Sequence, residues 1–269
     1  LPPPADTAGA RGRAGPDGVT PLLAAALQEG ATLNALLAEA GRGLDELRKG
    51  LAGELAMGEA MEGLARCLAG GVVPPAWAAI AGPTARRLDG WVAHLVARAA
   101  QLADWLARGV PPASVWLPGL FRPRAFIQAV VQTVARANGC TLDEAVLLVE
   151  PVRGGGSGAG PGGAAPTMAV PTKTGVLVHG LVMEGGRWDD KSGCLAPPRP
   201  AELLAPAPAF LMRALPTGRP LPAGTYACPV YATETRFRQE VCLAYLRSRD
   251  HPDTWTLAGT ALFLEAGVQ

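Results

Sequence analysis

Three scattered histidines, five cysteines, one adjacent pair of carboxylates and one glycine-rich tract are the parts of this 269-residue protein that could do chemistry. His94, His179 and His251 lie far apart in sequence, and none stands at the short spacing of a metal-binding pair. Cys67, Cys140, Cys194, Cys228 and Cys242 are odd in number and no two form a Cys-x-x-Cys, so neither a zinc site nor a disulfide framework is indicated. A reducing compartment suits them better. Asp189 and Asp190 would point to opposite faces of a strand and could not share a metal or a proton there. With Lys191, Ser192 and Gly193 they read as a hairpin turn. The tract RGGGSGAGPGGAAP, 153–166, resembles a phosphate cradle only in its glycines. Such a loop needs a Gly-Lys-Ser/Thr at the turn into a helix, whereas Lys173 follows Thr172 and Lys191 follows Asp190. Ser157 has Gly155 two residues before it but Ala159 two residues after, so the Gly-x-Ser-x-Gly nucleophile elbow is incomplete. Trp91, Trp105 and Trp116 could line a ligand box, but at helical spacing they read as core or docking residues. Arg86-Arg87 reads as a solvated face or a contact for an acidic partner.

Composition narrows the classes further. The formal net charge is +1 and aromatics are 5%, which argues against a broad nucleic-acid surface, a stacking platform or an anionic-membrane surface. No run of about 18 apolar residues occurs, so no membrane-spanning helix is expected. The first residues, LPPPADTAGA, hold neither a Met nor an apolar signal-peptide segment, and the sequence reads as a fragment of a longer one. Hydrophobic residues make up 49%, enough to bury a sizeable core.

The elements that would position any site follow from periodicity. Residues 1–21, rich in Pro, Gly and Ala, read as a linker or loop. Leu22 to Leu68 is helical text, with Thr32 as a cap, a stripe through Leu44, Leu47 and Leu51, and breaks expected near Gly41, Gly43, Gly50 and Gly53. Gly70-Gly71 and Pro74-Pro75 end it. A second helix is predicted over 84–108 and a third over 122–138, stopped by Asn138-Gly139. Thr141 to Glu144 is a capping-box pattern. After the glycine tract the period changes to alternation. Strands are predicted over 175–184, 226–233, 240–247 and 254–265, with Pro229 marking an edge or a bulge. The fold class is therefore α+β: a helical subdomain over 32–152 behind a linker at 1–31, a flexible insertion at 153–171, and a small antiparallel β subdomain over 172–269.

Read in order, the motifs resemble the C-terminal domain of dynein heavy chains. The resemblance runs from about residue 32 to 266. It rests on Asn34-Ala-Leu-Leu37 with Leu44, Leu47 and Met57, then Val73-Pro-Pro-Ala-Trp77, and WVAHLVARAAQLADW from Trp91 to Trp105 with Arg98 in register and His94 where the family usually has Asp. Trp116-Leu-Pro-Gly-Leu-Phe121, Pro123-Arg-Ala-Phe126 with Gln132 and Ala135-Arg136, and Leu142-Asp143 follow. In the β part it rests on Val178-His-Gly-Leu181 through Glu184-Gly185 and Arg187-Trp188-Asp189, on Cys228-Pro-Val-Tyr231 with Arg236, and on Trp255-Thr-Leu-Ala-Gly259 with Ala261-Leu262. The family's segment near Ile80–Leu88 is reduced here, the glycine tract looks like an insertion, and the Trp255–Gly259 ending is closer to axonemal outer-arm proteins.

The resemblance implies a β-barrel-like second part and a domain that packs on the AAA ring of the same heavy chain. It implies no catalytic, cofactor or metal residue in this segment, since ATP and Mg belong to other modules of the parent motor and microtubules to its stalk. The implied partners are that ring, other dynein heavy, intermediate and light chains, and microtubules through the parent. The implied setting is the cytoplasm and cytoskeleton, at the axoneme of a cilium or flagellum. Two other readings stand beside it. One is a module recruiting an axonemal partner through the β subdomain or the glycine loop. The other is a hydrolase built on Ser157 or Cys228 near a histidine.

Overall fold

The structure is a computed structural model, and it describes residues 1–15, 18–82, 84–152, 175–216, 223–233, 236 and 240–265. The readings placed on Ser157, Lys173 and the 153–171 insertion lie outside the described residues.

Among the described residues the protein forms α1 (Thr7–Gly12), α2 (Pro21–Leu51), α3 (Glu59–Ala69), α4 (Pro75–Ala81), α5 (Leu88–Arg108), α6 (Pro123–Asn138) and α7 (Pro252–Leu257). The strands are β1 (Ser114–Trp116), β2 (Ala145–Pro151), β3 (Val176–His179), β4 (Val182–Glu184), β5 (Arg187–Asp189), β6 (Cys194–Ala196), β7 (Leu204–Pro206), β8 (Phe210–Pro216), β9 (Thr225–Thr233), β10 (Cys242–Arg247) and β11 (Ala261–Glu265). The α+β class holds.

The helical half is organised around α2, which packs on α4, α5 and α6. The Thr20 hydroxyl caps it at the Leu23 N–H and Pro21 takes its first position. The helix runs unbroken through Gly41 and Gly43, against the breaks expected there, and ends at Leu51, between Gly50 and Gly53, where a break is also expected; Thr32 sits mid-helix with its hydroxyl donated to the Gln28 carbonyl. The glycines are kept by packing. A Cβ on Gly43 would lie 3.3 Å from Leu64, and one on Gly50 would lie 2.6 Å from the Met57 sulfur, so their absence lets α3 lie close against α2. The expected linker is also corrected, because α1 and most of the first third of α2 lie inside it, with Ala5 and Ala10 in the core. The end expected at Gly70-Gly71 and Pro74-Pro75 is found, since α3 stops at Ala69 with Gly70 as its cap, and Pro75 then opens α4. The stops at Gly109 and Gly139 are as predicted, and both adopt the left-handed conformation. Thr141 and Glu144 form the expected reciprocal cap on a single 3-10 turn.

The β half departs more. A four-stranded sheet has the order β1-β3-β8-β2, a five-stranded sheet the order β10-β9-β11-β4-β7, and β5 pairs with β6 alone. Among the described residues no sheet closes into a barrel, and two pairings, β1 with β3 and β9 with β11, are parallel rather than antiparallel. β1 and β2 come from the helical half, so the two halves share a sheet and one continuous core. The segment predicted as a strand over 175–184 divides at Gly180, sending β3 and β4 to different sheets. The one predicted over 254–265 is a helix and a strand, α7 and β11, with Pro252 at the first position of α7. Pro229 lies in β9, an interior strand, but just ahead of the Val230–Thr233 stretch that pairs with β11. It therefore marks neither an edge strand nor a position that β11 needs as a donor.

Candidate functional site

Side chains from two helices, α2 and α5, converge on the backbone of the segment Ser114–Arg122. Residues 114–120 are all buried, and they lead from β1 into the start of α6. β1 is the outer strand of its sheet, so the face of its backbone turned away from β3 needs partners. Gln101 of α5 supplies them: its Oε1 accepts the Trp116 N–H at 2.7 Å and its Nε2 donates to the Trp116 carbonyl at 3.1 Å. Arg98, one turn earlier, donates to the Pro118 carbonyl at 3.4 Å and lies 3.9 Å over the Phe121 ring.

Glu29 reaches the same segment from α2. Its two carboxylate oxygens accept the N–H groups of Phe121 (2.6 Å) and Arg122 (2.7 Å), just before α6 begins. Glu29 is 2% exposed, and burial raises its pKa while the two backbone hydrogen bonds and the nearby Arg98 and Arg122 pull it back down. A negative charge at the N-terminus of α6 also suits the helix dipole. Asn34 repeats the Gln101 device elsewhere on α2, accepting the Ala5 N–H at 2.7 Å and donating to the Ala5 carbonyl at 2.9 Å.

Two histidines flank the segment. His94 lies with its ring centroid 4.5 Å from that of Trp116, and burial together with Arg98 and Arg86 lowers its pKa to about 3. His179 stands beside Trp116 in the β1–β3 register, its Nδ1 2.8 Å from the Ser114 hydroxyl, and burial lowers its pKa as well. Both rings are neutral at ordinary pH. Gly180, with φ of +95°, turns the backbone around the Trp116 ring, and a Cβ there would come within 2.4 Å of it.

Chemically this arrangement holds the segment in place from two helices. Ser114 and His179 form a serine–histidine contact, but each residue is 6% exposed, so substrate has no access to the hydroxyl. The residues singled out in sequence are placed apart. His94 is on α5, His179 on β3, and His251 caps α7 at the Asp253 N–H. Among the described residues no group of three or more His, Cys, Asp or Glu could hold a metal. Asp189 and Asp190 open the β5–β6 turn, where hydrogen bonds from Ser192 hold the Asp189 carboxyl below its ordinary range. Cys228 is a buried thiol pushed up by burial, and Cys242 is pushed up to about 12 by the same cause, so neither is a ready nucleophile. The three tryptophans make separate contacts: Trp91 stacks on Trp77, Trp105 meets Phe126 edge-on, and Trp116 meets His94. They are core, not a box. No described helix is long and apolar enough to cross a membrane.

Glu29, Gln101 and Asn34 as backbone partners escape sequence reading, since a polar residue on an amphipathic helix reads as solvent-facing. Trp116 to Phe121 is visible as a motif. The family model for the C-terminal domain of dynein heavy chains matches residues 2–264, which takes in every element from α1 through most of β11. The protein belongs to this family. It is 42% identical over 245 residues to the dynein beta chain of the flagellar outer arm of Chlamydomonas reinhardtii, and 39% identical over 256 residues to the alpha chain of the same arm. It is 34% identical over 246 residues to dynein axonemal heavy chain 9 of Homo sapiens. Each match takes in 91% of this dynein segment and 5% of the relative, so it spans about one twentieth of the length of the heavy chains it resembles.

Proposed function

We propose that this domain is a non-catalytic structural and regulatory element of an axonemal dynein heavy chain, lying against the AAA ring of an ATP-driven microtubule motor in a cilium or flagellum. ATP and Mg would be bound by other modules of the parent. Other heavy, intermediate and light chains and microtubules would be met by the assembled motor.

The observation that carries this reading is the outer face of α5. Between Asp89 and Asp104 the solvent-facing residues are Gly90, Val92, Ala93, Val96, Ala100 and Ala103, with Val92 40% and Val96 50% exposed. Arg98, the one charged residue of that stretch, turns inward onto Phe121. A surface helix normally presents charge to water, and an uncharged face on a helix of 21 residues suits a covered one. Its opposite face grips Trp116 and Pro118, so a load on α5 reaches the sheet through β1.

The test is Val92→Asp/Val96→Asp in the complete heavy chain. Both side chains are exposed in the domain, so the domain itself should fold. The expected results are faster hydrogen exchange along α5 and altered microtubule gliding velocity with ATP hydrolysis retained. Unchanged exchange and unchanged velocity would refute ring packing through this face.

A further inference from the structure

The C-terminal end of α2 and the start of α3 form a tip that the ring-packing reading does not use. Every residue from Leu51 to Ala60 is exposed, including Leu51 at 72%, Leu55 at 45% and Met57 at 39%. α3 buries no residue fully and packs against α2 through Leu64 at Gly43 and Met61 at Gly50, where Met57, two residues before α3, also lies. Leu51 and Leu55 are thus left in water at the end of a helical hairpin, beside Met57, which packs on Gly50 and is partly exposed.

The charges around them are unbalanced. The basic residues of the hairpin, Arg42, Arg48, Lys49 and Arg66, are each ion-paired within it, to Glu39, Asp45, Asp45 and Glu62. Glu46, Glu54 and Glu59 are exposed and make no ion pair among the described residues. The tip therefore presents leucine and methionine inside a rim of free carboxylates. Such a surface is complementary to a helix with an apolar stripe flanked by Lys or Arg, because Met and Leu adapt to varied apolar shapes while the carboxylates fix orientation and repel acidic competitors.

We propose that the α2–α3 tip docks a basic amphipathic helix of a partner protein. The probe is a short helical peptide of leucine and lysine, labelled with fluorescein and titrated onto the full 269-residue protein by anisotropy. Its control is the same apolar pattern with glutamate for lysine. The lysine peptide is expected to bind, and more weakly as salt rises. Leu51→Ser/Leu55→Ser should weaken it by about tenfold or more, which corresponds to about 1.4 kcal/mol, and Glu54→Gln/Glu59→Gln should weaken it and flatten the salt dependence. All four positions are exposed, so unchanged thermal melting is expected for both variants. Equal binding of the glutamate peptide, or lysine-peptide binding that survives the double serine change, would overturn the proposal. So would self-association by sedimentation velocity that the serine changes abolish while the peptide fails to bind, since the occupant would then be a second copy of the protein.

Discussion

The side-chain amide of Gln101 bonds both the N–H and the carbonyl of Trp116, doing for the open edge of β1 what a further strand would do. The neighbouring strand β3 serves the other edge, so the backbone at Trp116 is held from both sides. Removing the amide leaves two backbone groups in a buried segment without partners. Gln101→Leu should destabilise the domain by roughly 1–3 kcal/mol for each group left unsatisfied. Gln101→Glu keeps the acceptor for the N–H and loses the donor to the carbonyl, so its loss should be smaller. Urea denaturation checks the order, and hydrogen exchange at the Trp116 amide should rise in the leucine variant more than in the glutamate variant.

Glu29 gives a prediction with a definite sign in pH. Burial raises its folded pKa above the ordinary 4.5, so between those two values the folded state holds more protons than the unfolded state. Its contribution to stability is therefore greatest at low pH and falls as pH rises through that window. Glu29→Gln cannot titrate. The stability difference between parent and variant should shrink as pH rises from about 4.5 through the raised folded pKa, and then stay level. The glutamine has a single acceptor oxygen and leaves one of the Phe121 and Arg122 N–H groups unpaired, so it should be the less stable form across the lower part of the range.

At Gly180 the prediction concerns shape. Its φ of +95° disfavours any side chain, and a Cβ would meet the Trp116 indole at 2.4 Å, with Pro118 close behind at 3.1 Å. Backbone strain of about 1–2 kcal/mol and overpacking of about 1–3 kcal/mol should act together in Gly180→Ala. Gly139→Ala shares the positive φ but opens onto free space, so it should show the backbone part alone. A denaturation midpoint that falls equally in both variants would mean that Trp116 yields to the new methyl.

The sequence reading succeeds where one local signal decides an element. α5 and α6 carry apolar stripes and end on Gly109 and Gly139, while β9 and β10 alternate between buried and half-exposed positions. It fails where tertiary contact decides. β2 is a mostly apolar run without alternation, β8 carries a single charge at Arg213, and their seven-residue pairing becomes evident only when they meet. β1 is three residues long and pairs with a segment more than sixty residues away. Gly43 reads as a helix breaker because the value of a missing Cβ depends on the Leu64 that fills its space. Thr20-Pro21 and His251-Pro252 open α2 and α7, where the composition points to a linker and to a loop before a strand. The Trp116–Phe121 motif was visible, whereas the partners that hold it, Glu29 and Gln101, look like ordinary surface positions until α2 and α5 are packed.

His94 and His179 together set the acid limit of the domain. Both are buried neutral, with folded pKa values below 6.5, and that of His94 is about 3. Between the folded and unfolded values the unfolded state binds more protons, so stability falls as pH drops below about 6.5, with a limiting slope near 1.4 kcal/mol per pH unit for each histidine. The opposite sign of Glu29 acts at lower pH and offsets part of this loss. His94→Phe keeps a ring against Trp116 and removes the titration. It should flatten the fall of stability between pH 6.5 and the acid transition, leaving the part that belongs to His179. Denaturation midpoints measured across that range test this directly. A variant whose profile is parallel to the parent's would show that His94 is already protonated in the fold, and that its contact with Trp116 is a cation over a ring rather than two neutral rings.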